Sequence, residues 1–396
     1  MRRWIGPGIL VAVGYMDPGN WAMGTEAGSG YGYSLTWVIL LSSAAAILLQ
    51  INAARIALHT RRDLIGLGYS FLGRKIGTFL AITAFIAVLA TDLAEVLGFA
   101  LALRLLLGMP LAAGAFLALA EVVFVLYWTT RRPRSLEMLV GILTLGIMGI
   151  FAYELFLLRP SPSEVMKGLM PSVRIMQDRE MLYLTLGLIG ATIMPHNLYL
   201  HSIWVQKERP SLSIPPEKAL VRDTTVSLSL AFFVNVSLLL IAATLKGTPN
   251  PLQRWGIEEA YYLFEPTLGS GAMIAFGIAL LLSGHNATLT TTLTGQYILE
   301  YLLPHGISSF WRSFILRSLA LIPAFLGIAF WGEEHLSALF VLSQVILSLQ
   351  LPFVLLPMLY FLRKLPEKRP SKMSYAITFL ISLLITSLNF YLLTTL

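Results

Sequence analysis

Long apolar stretches recur from one end of this chain to the other, and they leave it few ways to fold. Eleven read as helical spans, at about 5–29, 33–58, 76–107, 111–128, 136–158, 182–206, 222–245, 270–302, 313–331, 335–362 and 374–395. Each comes near or exceeds the roughly 20 residues a helix needs to cross a bilayer, and the longest must tilt or run past it. Only 12% of the 396 residues are charged and 56% are hydrophobic. A soluble domain carries about 25% charged residues, so this chain cannot cover a water-facing globule. The expected fold is all-α and integral to a membrane, a single transmembrane domain over 1–396 with no soluble domain. No small-residue cleavage site follows the first apolar run, so no cleavable signal peptide is expected. The short segment ahead of that run leaves little room for regulation by an N-terminal tail.

Charge sets the expected orientation. Lys and Arg concentrate in cytoplasmic loops of membrane proteins. With a cytoplasmic N-terminus, the inner segments hold Arg2, Arg3, Arg61, Arg62, Arg74, Lys75, Arg131, Arg132, Arg134, Lys207, Arg209, Lys218, Arg312, Lys364, Lys368, Arg369 and Lys372. The outer loops then hold only Arg159, Lys167, Arg174, Arg179, Lys246 and Arg254, and an odd number of spans leaves the C-terminus outside. The net charge of +7 thus belongs to membrane-flanking segments and is no sign of nucleic-acid binding. The two largest connections, about 159–181 and 246–269, should share one side.

Two spans are interrupted. "MDPGN" (16–20) breaks the first and "IMPHN" (193–197) breaks the sixth, 177 residues and five spans apart. An odd offset inverts the second copy. Paired interruptions in two inverted halves point to a transporter site at the bilayer midplane. Repeat one covers about 5–158, repeat two about 182–362, and the last helix, about 374–395, lies outside both. Pro18 removes a backbone hydrogen bond and Gly19 eases unwinding. Carbonyls freed at that depth need protein, a cavity or a cation around them. Asp17 is a hard anionic ligand, Asn20 a neutral oxygen, and the Gly14 carbonyl a third donor; the blander role for Asp17 is an N-cap on the second half-helix. At the other break Ala191 can offer a carbonyl and Met194 a thioether. A soft sulfur favours transition metals over Mg²⁺ and Ca²⁺, although a Met in a membrane helix ordinarily only packs.

Other polar groups lie within the spans. His196 beside the second break suits a proton or gating role, whereas His201 reads as structural. Asp92 and Glu95 share a helix face in span three, and Arg317 in span nine is their natural counter-charge. Intramembrane carboxylates need protons or a cation partner, so the trio reads as a proton relay or a helix-pairing ion cluster. Gln344 and Gln350 in span ten and His285 and Asn286 in span eight line possible cavities. Asp223 reads as the N-cap of span seven, and Asn235 as a bridge between helices. The absence of cysteine removes disulfides, iron–sulfur clusters and thiolate metal sites. No phosphate loop, no nucleophile elbow and no HExxH motif is present. Neither an enzyme nor a bound nucleotide or cofactor is expected.

At "DPGN" and "MPHNLYLHS" the chain resembles the Nramp family of divalent metal transporters. "RRDL", "ATDLAE", "DTT", "AFFVN", "LTGQ" and "LSLQLPF" extend the resemblance over essentially the whole length. It implies a LeuT-type five-plus-five inverted repeat with helices 1 and 6 broken. It implies metal ligands at Asp17, Asn20 and Met194 with the Gly14 and Ala191 carbonyls, a contact from Gln344 in some conformational states, and a proton path through His196, Asp92, Glu95 and Arg317. Alanine and methionine at 191 and 194 are the manganese-and-iron type. One departure is Gly284-His285-Asn286-Ala287, where the family usually has no imidazole. The expected protein is a proton-coupled importer of Mn²⁺ first and Fe²⁺ next, working by alternating access as a multi-pass protein of the cell's inner membrane. Metal ion, protons and lipid are its partners, and a monomer suffices. A Na⁺-coupled amino-acid carrier of the same architecture is disfavoured by an anionic Asp17 at the break. A passive channel is disfavoured by the lack of short repeated pore segments.

Overall fold

The computed structural model describes residues 14–131, 133–208, 217–246, 255–303, 306–365 and 370–395. The start of the first span, the side chain of Asn286 and several of the basic residues used for orientation, Arg2, Arg3, Arg132 and Arg209 among them, lie outside these. The described residues form helices and turns with no strand. In order these are α1 Pro18–Tyr31, α2 Thr36–Thr60, α3 Leu64–Leu107, α4 Leu111–Arg131, α5 Pro133–Leu158, the short α6 Pro162–Gly168, α7 Arg179–Ile193 and α8 Pro195–Glu208. Then follow α9 Glu217–Leu245, α10 Ile257–Leu268, α11 Ser270–Leu302, α12 Ser309–Trp331, α13 Leu336–Arg363 and α14 Lys372–Thr395. Among the described residues, eight stretches are long and apolar enough to cross a membrane; one, Pro18–Thr60, contains both α1 and α2, and another, Arg179–Lys207, contains α7 and α8. With α1 and α2 counted as two spans, α7 and α8 as one, and α4 and α5 added, the described residues hold all or part of each of the eleven expected spans.

Local chemistry sets the ends. Asp63 caps α3, its Oδ1 accepting from the backbone N–H groups of Ile65 at 3.0 Å and Gly66 at 2.9 Å. Asp178 caps α7 in the same way. Gly108 closes α3 with a φ of 68°, a conformation that costs a side-chain-bearing residue more than glycine. Two boundaries differ from expectation. Span three begins at Leu64 and kinks at Gly73, where φ is 83°, so its first turns are cut off in sequence from the long apolar run by Gly73, Arg74 and Lys75. Asp223 is no cap: α9 begins earlier, at Glu217, and Asp223 sits within it.

Within the bundle α1 packs closely on α9. Gly24 and Gly28 let it lie on α9. A Cβ at Gly28 would stand 2.6 Å from the Ala242 Cβ and 2.9 Å from the Ala243 N, and one at Gly24 2.8 Å from the Leu238 Cβ. Small residues four apart are how membrane helices come close when lipid offers no hydrophobic drive. Trp21 extends from α1 between Phe151 of α5 and Phe276 of α11, at ring distances of 4.8 and 5.2 Å. The last helix, α14, docks on α13 through Asn389, whose Nδ2 donates to the Ser348 carbonyl at 3.0 Å.

Both large connections meet one end of this bundle. Tyr31 donates to the Asp178 carboxylate at 3.1 Å, Ser29 to the Trp255 carbonyl at 2.8 Å, and Lys246 to the Gly30 carbonyl at 2.6 Å. At the same end Arg104 reaches Glu333 at 2.6 Å and Glu258 at 3.5 Å. Burial lifts the Glu258 carboxyl above its ordinary range, with Arg104 opposing. The far end is fastened by Arg55 to Glu217 at 2.7 Å, and by Tyr301 donating to Asp63 at 2.7 Å.

Candidate metal centre

The first break spans Tyr15 to Asp17, immediately before α1. Pro18 opens the new helix, and Asp17 caps it: Oδ1 accepts from the Asn20 N–H at 2.8 Å. The carbonyl of Tyr15, freed by the break, accepts from Asn20 Nδ2 at 2.9 Å and from Asn235 Nδ2 at 3.0 Å. Asn235 therefore does bridge helices. The second break falls at Met194, which ends α7 with φ 49° and donates its N–H to the Gly190 carbonyl at 3.0 Å. Pro195 starts α8 directly after it. Asn197 turns its Nδ2 to the Met194 sulfur at 3.3 Å.

A side chain joins the two breaks. The Tyr15 hydroxyl donates to the Ile193 carbonyl at 3.0 Å and accepts from Gln50 Nε2 at 2.7 Å. Gln50 Oε1 meets His201 Nδ1 at 2.9 Å, which fits the structural reading of His201. Gly14 lies against both α8 and α11, since a Cβ there would be 2.6 Å from Asn197 Nδ2 and 2.7 Å from Thr290 Oγ1. Gln344 of α13 abuts Gly19 and donates to Ser343 Oγ at 2.9 Å, while Gln350 donates to the Tyr199 hydroxyl at 3.3 Å. Asp17, Ala191, Met194 and Gln344 are all fully buried.

Four of the unpartnered atoms here are acceptors, beside nitrogens such as His196 Nε2. Asp17 Oδ2, Asn197 Oδ1, Asn235 Oδ1 and Gln344 Oε1 are buried acceptors to which nothing donates. A buried acceptor left unpaired costs about 1–3 kcal/mol. One cation can satisfy several such oxygens at once. No group of three His, Asp or Glu side chains gathers as a metal cluster among the described residues, so a metal here would rest on one carboxylate with amide, carbonyl and thioether donors.

A second polar cluster stands beside the first. His196, just after the break, brings its Nδ1 to 3.1 Å from Thr91 Oγ1, next to Asp92 in the chain. Arg317 Nη1 pairs with Asp92 and lies 3.5 Å from Glu95 Oε2, and Glu95 Oε1 accepts from Thr291. The expected trio is thus brought together. Thr288 and Thr290 also bond back to their own helix, at 3.0 and 2.9 Å, as Thr in membrane helices generally does. Glu121 of α4 belongs to the cluster too, at 3.2 Å from Arg317 Nη2. A carboxylate inside "FLALAEVVF" was signal enough to find it. Asn197 was equally findable, since Pro-x-Asn repeats the Pro18-Gly19-Asn20 pattern.

Fold and site together define a membrane transporter built around two broken helices. The family described as "Natural resistance-associated macrophage protein-like" matches residues 8–395. The chain belongs to the Nramp family. It is 44% identical to the divalent metal cation transporter MntH of Xylella fastidiosa over 91% of this chain and 77% of that one. It is 40% identical to MntH of Listeria welshimeri over 99% of this chain and 90% of that one. A crystal structure of the Eremococcus coleocola manganese transporter, bound to an aromatic bis-isothiourea compound, superposes with a TM-score of 0.80 at 31% identity, covering 97% of this chain and 84% of that one. MhsT in complex with L-phenylalanine gives 0.63 at 14% identity over 97% and 98% of the two chains, and inward-facing Mhp1 gives 0.58 at 15% over 99% and 90%. At that identity these two speak for the fold alone, which is the LeuT-type arrangement that the resemblance implied.

Proposed function

We propose that this protein imports divalent transition metal ions, Mn²⁺ first and Fe²⁺ next, with proton entry driving the cycle by alternating access. The membrane would be the cell's inner membrane, with the N-terminus cytoplasmic and the C-terminus outside. Metal transport is the activity named in its relatives; manganese is named in the Eremococcus coleocola structures. The observation that carries the reading is the group of buried acceptor oxygens at two breaks tied by one tyrosine. Asp17 supplies the charge, Asn20 and the carbonyls of Gly14 and Ala191 supply neutral oxygen, and Met194 supplies the sulfur that disfavours Mg²⁺ and Ca²⁺. Gln344 adds an amide oxygen in some conformational states. The ion sheds most of its water on entering, and its charge favours proton release from the network of His196, Asp92, Glu95 and Arg317. The half-helices on either side of Asp17 and Pro195 then tilt to open the inside.

Uptake of radioactive Mn²⁺ into proteoliposomes tests both parts. Uptake accelerated by an inward proton gradient and indifferent to excess Mg²⁺ is the expected result. Uptake suppressed by equimolar Mg²⁺ would remove the sulfur argument, and indifference to the gradient would remove the coupling.

A further inference from the structure

The buried cluster around Arg317 continues past the residues proposed above for the proton. Glu121 accepts from Arg317 Nη2 with Oε2 at 3.2 Å, and its Oε1 meets His285 Nδ1 at 2.7 Å. The side chains of Asp92, Glu95, Glu121 and Arg317 are between 0 and 5% exposed, whereas His285 is 20% exposed. A line of contacts therefore runs from a partly open imidazole through a buried carboxylate to the guanidinium shared by Asp92 and Glu95.

The charges in this line do not balance. Three carboxylates face one guanidinium, and a neutral imidazole leaves an excess of two negative charges. A buried excess of that size is costly in a membrane interior, so the cluster must hold protons. Arginine cannot give one up, which leaves the carboxylates and the imidazole as carriers. The charged and titratable side chains on the elements packed against the middle of α11 are Asp17 at α1, Asp92 and Glu95 on α3, Glu121 on α4, Glu154 on α5, His196 on α8 and Arg317 on α12. The acidic residues of α10 lie at the outer end. Glu121 meets the imidazole at hydrogen-bond distance.

We propose that His285 is a proton-carrying residue of this transporter and that Glu121 relays between it and Arg317. In the step itself the Nδ1–H bond of imidazolium breaks and an O–H bond forms on Glu121 Oε1. Imidazolium becomes imidazole, carboxylate becomes carboxylic acid, and net charge is unchanged. A neutral Glu121 no longer holds Arg317 by charge, so the guanidinium is left to Asp92 and Glu95. Proton arrival at α11 is thereby felt at α3, one residue from the Thr91 contact with His196.

This inference rests on the proton coupling proposed above. The test is the full-length protein in proteoliposomes, with Mn²⁺ uptake and proton influx measured together across about pH 5.5 to 7.5, the range in which imidazole titrates. His285→Gln and Glu121→Gln are expected to lower the number of protons entering per Mn²⁺ by about tenfold or more, a modest share of what a positioned acid or base contributes. They are also expected to flatten the pH profile, with Mn²⁺ affinity within about twofold of wild type because neither residue is a proposed ligand. A variant that lowers uptake and proton influx in the same proportion would show a structural role and overturn the proposal. So would an unchanged ratio and profile in both variants. If His285→Gln does not insert, Glu121→Gln decides by the same ratio. A wild-type protein without gradient-driven uptake would overturn the coupling itself, and is told apart because it needs no variant.

Discussion

At the scale of the residue, Asp17 divides its two oxygens between fold and function. Oδ1 caps α1 and Oδ2 has no donor. Asn caps a helix about as well as Asp, so Asp17→Asn should melt within a few degrees of wild type yet lose Mn²⁺ binding by at least about a hundredfold, the upper end of what losing even an outer-shell partner of a metal costs. Calorimetry and Mn²⁺ titration on one sample check the pair, and retained affinity would move the site elsewhere. Met194→Ala should keep Mn²⁺ uptake and lose discrimination against Mg²⁺ and Ca²⁺ in competition assays. Asp17 and Met194 were legible in sequence because an interruption of an apolar run is a local signal. Tyr15, Gln50 and Asn235 were harder to find as a set. Tyr15 reaches a carbonyl 178 residues away, and no local pattern marks a tyrosine for that contact.

Elements followed the same division. Spans whose ends coincide with a change from apolar to polar sequence, such as α11 at Ser270–Leu302, were read with their limits as observed. Where a helix continues into polar sequence, as α9 does at its start, or past a charged pair at a kink, as α3 does at Gly73-Arg74-Lys75, hydropathy stops short. Helix contacts depend on faces, and Gly24 with Gly28 form the face of α1 that meets α9. Gly28→Val puts methyl groups where backbone and Ala242 already are, and overpacking of this kind costs about 1–3 kcal/mol. A lower melting temperature in detergent, with Mn²⁺ affinity falling alongside it because α1 carries Asp17 and Asn20, is the expected outcome; an unchanged melting temperature would mean that the two helices are not held this closely.

For the whole molecule, the relevant structure is the pair of fastened ends. Arg104 ties α3 to α10 and to the turn before α13 at the end where the long connections gather, and Arg55 ties α2 to α9 at the other. Partly exposed ion pairs are worth about 0.2–1 kcal/mol, so releasing either should shift the balance between open states by about fivefold at most. Arg104→Gln and Arg55→Gln are expected to shift it in opposite directions. Because the chain has no cysteine, a single introduced thiol at each end reports accessibility without background. Shifts of the same sign would break the link between these pairs and alternating access.

The left-handed backbone at Met194, with φ at 49°, reaches beyond transport. In an ordinary helix glycine is about 1 kcal/mol worse than alanine. At a backbone angle that strains any side chain, that order should reverse, leaving Met194→Gly at least as stable as Met194→Ala. A lineage released from the need to choose among metals would then drift towards glycine at this position. On the role proposed for its sulfur, metal choice is what would weigh against glycine there.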